Sequence, residues 1–369
     1  MEILLEEFYK QDLHAPNYIE RQYQLDEEVS YQINGIAQSG KTALIKHTLL
    51  GRKKNSYLYI DCADLRIDVE ALNTALTRFC NHNDITTVAL DNYHEALQLP
   101  KVRQLIIACI DRFDYADLKT LRLYTLDYEG FLAFEQRYDE SALNHFFQLG
   151  GFPAMHRVPS EVRIRHLQMS LQHALTPLGF DILLLSCNLI TQKVSAYMIY
   201  ERLKPIRKIS KDMLYRNFET LTQQGYLHQL AKFDHPRAVK KLYHCDISIK
   251  NALSTQKHFG RLFENMVFLE MFKKEFTLYY DEGIDFYIPA QDRIVLCMPF
   301  GNQEALFKQI EKIEAFIIMH GIKKVEVVTM SNESTLQHPF VPVEMIPFSI
   351  WALTEGEEGG DESLNDDEF

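Results

Sequence analysis

Gly35-Ile36-Ala37-Gln38-Ser39-Gly40-Lys41-Thr42 matches G-x-x-x-x-G-K-[ST] at every fixed position. These residue types suit one task, the gripping of a polyphosphate. Glycine lets the backbone curl until successive N–H groups point inward at anionic oxygens. A lysine at this spacing reaches the outer phosphates, and a threonine hydroxyl is a hard ligand for Mg²⁺. The motif has force only between a strand and a helix. Val29-Ser30-Tyr31-Gln32-Ile33 reads as that strand and residues 43–50 as that helix, with Gly51 placed to stop it. The expectation is a phosphate loop of the Walker A kind. Gly35, Gln38, Ser39, Gly40, Lys41 and Thr42 would contact ATP, and Lys41 would also stabilise charge during phosphoryl transfer. The alternative is a chance glycine-rich turn.

A second carboxylate belongs with such a loop. Ile85-Thr86-Thr87-Val88-Ala89-Leu90-Asp91 is an apolar strand ending in aspartate, the form of a Walker B strand whose Asp91 would hold Mg²⁺ opposite Thr42. Many ATPases of this layout place glutamate next, as general base for the attacking water. Here the residue is Asn92, which cannot take a proton, and Glu95 is the nearest carboxylate in sequence. Nucleotide binding is therefore expected more firmly than fast hydrolysis. Cys109 and Asp111 stand where a γ-phosphate sensor would sit, and Arg112 and Arg122 are conceivable arginine fingers.

The elements that must position these groups follow in order. Residues 56–61, 85–91, 105–110 and 121–126 read as further strands. A helix presents Val69, Leu72, Leu76, Phe79 and Cys80 on one face, and a helical linker precedes the strand at 105. Strands alternating with helices predict a parallel sheet covered on both faces.

The whole chain sets bounds. It has 369 residues, enough for two or three domains, and 46% hydrophobic and 12% aromatic content marks a folded chain. Its start is acidic, without a signal-peptide pattern, and no run approaches a membrane span, which points to the cytoplasm and no membrane partner. The six cysteines are scattered among apolar neighbours with no CxxC pair, so zinc is not expected. His94-Glu95 lacks the second histidine of HExxH, and no G-x-S-x-G elbow occurs. The net charge of −12 owes eight of its negatives to residues 355–369, an acidic tail expected to be disordered.

Further along, Ser210 can cap a helix over 211–224 with Leu214, Phe218 and Leu221 inward and Gly225 ending it. Residues 226–230 and 242–245 can pair around a basic loop, giving a winged-helix pattern. Between Glu201 and Lys241 there are ten Lys or Arg against four Asp or Glu. Arg207, Lys208, Lys211, Arg216, Arg237, Lys240 and Lys241 could neutralise DNA phosphates, with Tyr215, Thr220, Gln223 and Gln224 on the recognition helix. The alternative is a spacer whose basic face meets acidic neighbours.

The segments Leu126-Asp127-Tyr128-Glu129-Gly130-Phe131-Leu132 and Phe146-Phe147-Gln148-Leu149-Gly150-Gly151-Phe152-Pro153, with Gly260-Arg261-Leu262-Phe263-Glu264-Asn265 beyond them, look like a family of bacterial and archaeal ATPases. That family joins an AAA-type ATP-binding domain, related to STAND ATPases, to a C-terminal domain of unknown function (DUF4143) similar to PD-(D/E)xK nucleases. The resemblance implies that Pro153 packs on the adenine. It also implies that Glu264 and Asp285 occupy nuclease positions, but residues 294–299 carry neither the acid nor the lysine that Mg²⁺-dependent cleavage needs. An inert nuclease-like fold is expected, with Glu264 structural. The full expectation is an α/β chain: a P-loop domain over 1–155, a helical and winged-helix domain over 156–250, a nuclease-like domain over 255–352 and a tail over 353–369. Its partners would be ATP or ADP with Mg²⁺ and, as candidates, DNA through 201–241 and other copies of itself. Nucleotide would control the domain arrangement, with slow or absent hydrolysis. Two alternatives stay open: a DNA-binding or scaffold protein with structural nucleotide, and an active nuclease with other ligands.

Overall fold

The computed structural model describes residues 1–15, 23–139, 141–256 and 258–358. The chain divides into two compact units, one of Met1–Thr125 with Gln223–Gly225 and one of the remaining residues from Leu126 onward. The first unit runs α1 (Glu2–Lys10), β1 (Tyr31–Asn34), α2 (Lys41–Leu50), β2 (Tyr57–Asp61), α3 (Val69–His82), β3 (Thr87–Asp91), β4 (Gln104–Cys109) and β5 (Lys119–Arg122). Its sheet has the order β2-β3-β4-β1-β5 with every pairing parallel.

Both faces of this sheet are apolar, which is why its central strands read as continuous hydrophobic runs. Leu58, Ile60, Val88, Leu90, Leu105 and Ile107 point to one face, where α1 and α3 bring Leu5, Leu72, Leu76 and Phe79. The residues between them, Tyr59, Ala89, Ile106 and Ala108, point to the other, where α2 brings Leu44, Ile45 and Leu49. Small Ala89 and Ala108 lie on the α2 side, and α2 packs over β3 and β4. The helix that carries Lys41 and Thr42 is thereby seated against the strand that ends in Asp91.

The helical linker expected before β4 is not formed. Residues 92–103 hold no helix. Asn92 begins the segment in a left-handed conformation (φ 52°) and Pro100 interrupts it. Backbone groups that a helix would need are taken by α3: Asn73 Nδ2 donates to Ala96 O, and Gln98 N–H donates to Asn73 Oδ1.

The second unit contains α4 (Tyr128–Glu135), α5 (Ala142–Leu149), α6 (Pro153–Arg157), α7 (Ser160–Ala174), α8 (Pro177–Ser186), α9 (Ala196–Leu203), α10 (Lys211–Gln223), β6 (Leu227–Lys232), β7 (Lys241–His244), α11 (Ile247–Leu253) and α12 (Phe259–Lys273). It continues with β8 (Tyr279–Asp281), β9 (Ile284–Ile288), β10 (Arg293–Cys297), α13 (Gln303–His320), β11 (Lys324–Thr329), β12 (Ser334–Gln337), β13 (Pro342–Pro347) and α14 (Phe348–Glu358). The β6–β7 hairpin forms as expected, with Leu214, Phe218 and Leu221 of α10 buried and Gly225 at φ 87°. It is not a free wing, however. β6 also pairs with β8, so the hairpin closes one edge of a mixed sheet ordered β12-β13-β11-β10-β9-β8-β6-β7.

This continuity joins the expected middle and C-terminal domains into one body. The first boundary moves for a similar reason. Leu126, Tyr128, Phe131 and Phe146 share a core with Phe263, Met266 and Trp351, so residues 126–152 belong with α12 rather than with the parallel sheet. The expected tail also begins later, because α14 runs to Glu358; residues 359–369, where most of the acidic run falls, lie outside the described residues. Among the described residues no helix is long and apolar enough to cross a membrane.

Helix α12 sits at the centre of this body, and its polar residues are bonded outward to neighbouring elements. Asn265 is fully buried, receives the His244 N–H at 2.8 Å and donates to His244 O at 3.1 Å, so one amide stands in for a neighbouring strand at the end of β7. Glu270, also buried, accepts the Tyr128 N–H at the start of α4 at 3.0 Å, beside the Asp127 cap of that helix. Burial, reinforced by the charge of Asp127, pushes the Glu270 carboxyl from 4.5 up to about 7, against the pull of Lys273 and Lys274.

A carboxyl raised in the folded state keeps its proton while the unfolded chain loses it, so its contribution is complete below the unfolded pKa and lost as pH rises through the folded one. Wild-type stability should fall by about 3 kcal/mol more than that of Glu270→Gln between about pH 4 and about pH 8. Denaturant titrations followed by fluorescence of Trp351, the chain's single tryptophan and buried in this unit, would read the difference. Parallel pH slopes for the two proteins would refute it.

Candidate functional site

The C-terminal end of β1, which lies between β4 and β5, leads into the glycine loop at the carboxyl edge of the parallel sheet, the edge where open α/β sheets bind ligands. Gly35 is required by space: a Cβ there would meet Leu123 O at 2.5 Å. Gln38 (φ 64°) and Gly40 (φ 102°) both adopt left-handed backbone and curl the loop into the start of α2, with Ser39 fully buried between them. Gly40 supplies no side-chain cap, and the first turn of α2 holds no acidic residue. A helix start of this kind is a setting in which an anion is favoured.

Lys41 is 7% exposed and turns back over its own loop, donating to Gly35 O at 2.7 Å and Ile36 O at 2.9 Å. Burial lowers its pKa to about 8, with Asp91 and Cys109 opposing the shift. The Thr42 hydroxyl donates to Asp91 Oδ2 at 2.6 Å, so the two residues read as Mg²⁺ ligands meet. Tyr59, on β2, donates its hydroxyl to the same oxygen at 2.9 Å, and the Asn92 N–H donates to Asp91 Oδ1 at 3.0 Å. Asp91 is 1% exposed and is held through both oxygens. A hydroxyl and a carboxylate are the hard oxygen donors that Mg²⁺ prefers, so the donor set fits that ion.

The remaining expected groups are placed less tightly. Asn92 directs its side chain sideways, Nδ2 donating to Asp61 Oδ1 at 2.8 Å. Glu95 is exposed in the segment after β3. Cys109 is a buried thiol raised to about 12 by burial, and both its sulfur (3.4 Å) and Asp111 O (2.7 Å) accept from Asn34 Nδ2. Arg112 and Arg122 are exposed. Pro153 is the first residue of α6 and belongs to the second unit. Tyr59 and Asp61 were not singled out from the sequence; the apolar run 57–61 ending in aspartate was the available sign.

In the second unit Glu264 of α12 and Asp285 of β9 come together around a third residue, Lys241. Lys241 Nζ lies 2.9 Å from Glu264 Oε1 and 3.4 Å from Asp285 Oδ1. Tyr243 donates its hydroxyl to Glu264 Oε1 at 2.8 Å, and the Cys297 N–H donates to Asp285 Oδ2 at 2.8 Å. Burial pushes the Glu264 carboxyl upward, with Asp285 adding repulsion. Burial also disfavours the Lys241 ammonium, but Glu264 and Asp285 outweigh it and hold that pKa above its ordinary value. This corrects the reading of Lys241 as a DNA-phosphate contact: it is committed to a carboxylate pair. Arg207 likewise pairs with Asp181. Lys208, Arg216 and Arg237 remain exposed, while Lys211 lies over the rings of Tyr197 and Tyr215.

No protein-family model matches the chain. It is similar to an uncharacterized protein of Methanocaldococcus jannaschii, at 24% identity covering 87% of this chain and 88% of that one. The similarity spans both units.

Chemically, the first cluster sets an uncapped helix start beside a hydroxyl and a carboxylate, whereas the second carries its own cation in Lys241. Lys241 and Glu264 are 13% and 14% exposed, so removing the ammonium leaves two carboxylates facing each other with little water. Lys241→Met should destabilise the second unit by about 3 kcal/mol, and adding Glu264→Gln should restore much of that. Trp351-monitored unfolding checks both; additive losses in the double variant would contradict the pairing.

Proposed function

We propose that the first unit binds ATP together with Mg²⁺ and turns it over slowly. The observation that carries this reading is the 2.6 Å bond from Thr42 to Asp91, made beside a glycine loop whose helix starts with neither a side-chain cap nor an acid. Gly35, Gln38, Ser39 and Gly40 would offer main-chain N–H groups to the phosphates, and Lys41 would exchange its two carbonyl partners for β- and γ-phosphate oxygens. Thr42 and Asp91 would hold the metal, with Tyr59 and the Asn92 N–H keeping Asp91 in one orientation. Bound Mg²⁺ neutralises charge on the phosphate oxygens. Asn92, an amide where a base is common, supports slow rather than fast turnover.

The same reading places the chain beside AAA- and STAND-type ATPases with a nuclease-like C-terminal domain. The Lys241-filled carboxylate pair would mark the nuclease site as inert. The α9–α10 and β6–β7 region would be a winged helix, touching DNA through exposed Lys208, Arg216 and Arg237 and the half-buried Lys240. Nucleotide occupancy would then bias how that basic face is presented. A second reading, a DNA-binding or scaffold protein in which nucleotide only stabilises the fold, draws on Asn92.

Titration with a fluorescent ATP analogue tests the first unit directly. Wild type should bind it more tightly with Mg²⁺ than without, Lys41→Ala should weaken binding at least about tenfold, and Thr42→Ala should lose the Mg²⁺ enhancement. Affinity should be level below about pH 8 and fall above it as free Lys41 loses its proton, a decline absent from Lys41→Ala. No saturable binding of ATP or GTP with Mg²⁺ in excess would end the proposal.

A further inference from the structure

An amide at position 92 leaves the attacking water without a proton acceptor next to Asp91. Asp91 cannot fill that role itself. Its Oδ2 takes bonds from Thr42 and Tyr59 and its Oδ1 from the Asn92 N–H, so both oxygens are already engaged and the carboxylate is fixed.

A second carboxylate stands on the neighbouring strand. β2 and β3 are parallel and in register, with Asp61 directly opposite Asp91, so both strands deliver an aspartate to the same carboxyl edge of the sheet. Asp61 is tied to the site through position 92. Its Oδ1 accepts from Asn92 Nδ2 at 2.8 Å and from the Ala63 N–H at 3.0 Å. The left-handed backbone of Asn92 (φ 52°) accompanies this sideways orientation of its amide. Unlike Asp91, Asp61 is partly exposed, as a group that meets water must be. Glu95, the other nearby acid in the sequence, is exposed, and no bond to Asp91, Asn92 or Asp61 ties it to the cluster.

We propose that Asp61 is the general base of the hydrolytic reaction, with Asn92 as its positioning residue; this rests on the nucleotide reading of the first unit. In the step, a water oxygen forms a bond to the γ-phosphorus while its proton passes to the Asp61 carboxylate. The bond between that phosphorus and the β–γ bridging oxygen breaks, and the bridging oxygen leaves with the electron pair as part of ADP. The proton on Asp61 then returns to solvent, leaving inorganic phosphate. The two tasks that one acidic pair performs in many ATPases are thus divided between two strands, with an amide linking them.

The test compares Asp61→Asn with wild type in ATP-analogue affinity with Mg²⁺, single-turnover phosphate release, and the identity of the bound nucleotide recovered after incubation. Asp61→Asn should keep affinity within about twofold, release phosphate at least about a hundredfold more slowly, and retain ATP where wild type holds ADP. Asp61→Asn combined with Asn92→Glu, which moves the carboxylate to the position beside Asp91, should regain phosphate release. A structural role for Asp61 would not be rescued in this way. Phosphate release by Asp61→Asn at the wild-type rate, loss of its nucleotide affinity, or wild type that binds ATP yet never converts it would each overturn the assignment. Failure of wild type to bind nucleotide at all would instead overturn the reading on which it rests.

Discussion

A single buried carboxylate ties the first unit together. Asp91 is taken out of water at the end of β3, and isolating such a charge is costly unless it is hydrogen-bonded. Three donors meet it, from the first turn of α2, from β2 and from its own following residue. The bonds therefore do more than satisfy a charge: they lock the helix after the glycine loop to two strands of the sheet. The small side chains of Ala89 and Ala108 beneath α2 are what allow that helix to sit low enough for Thr42 to reach.

Much of this unit was legible because local chemistry and global packing agree. The loop announces itself through glycine, lysine and threonine at fixed spacing, and β2, β3 and β4 announce themselves as apolar runs needing two covered faces. What was not legible depends on lateral register. Tyr59 and Asp61 lie about thirty residues before Asp91, and only the in-register pairing of β2 with β3 brings them beside it. The absent helix between β3 and β4 is a related case, since the side chain of one residue, Asn73, claims the backbone groups that a helix would have used.

The second unit was read correctly in pieces and incorrectly in its divisions. Helix α10 and the β6–β7 hairpin carry their own signals: Ser210, Gly225 and the apolar spacing. Nothing local tells a hairpin that its outer strand will meet Tyr279 and Tyr280, so the expected boundary after it dissolved into one sheet. The same long-range pairing explains Lys241. The nuclease pattern places a lysine on β10, whereas the ammonium beside Glu264 and Asp285 arrives from β7, within a segment whose basic residues look solvated in the sequence. Charge counting along a segment cannot distinguish a solvated lysine from one with a buried carboxylate partner.

The backward turn of Lys41 has a consequence for selectivity. Its ammonium already holds two loop carbonyls at 2.7 and 2.9 Å, so any anion that recruits it must first replace those bonds. A small oxyanion presenting one cluster of oxygens does little better than the carbonyls it displaces. On the proposed nucleotide reading, a chain of linked phosphates would engage the helix amides and the ammonium together, and only that simultaneous engagement would leave a surplus. The lysine's own resting contacts would then set a threshold against weakly multivalent anions before size or shape is tested.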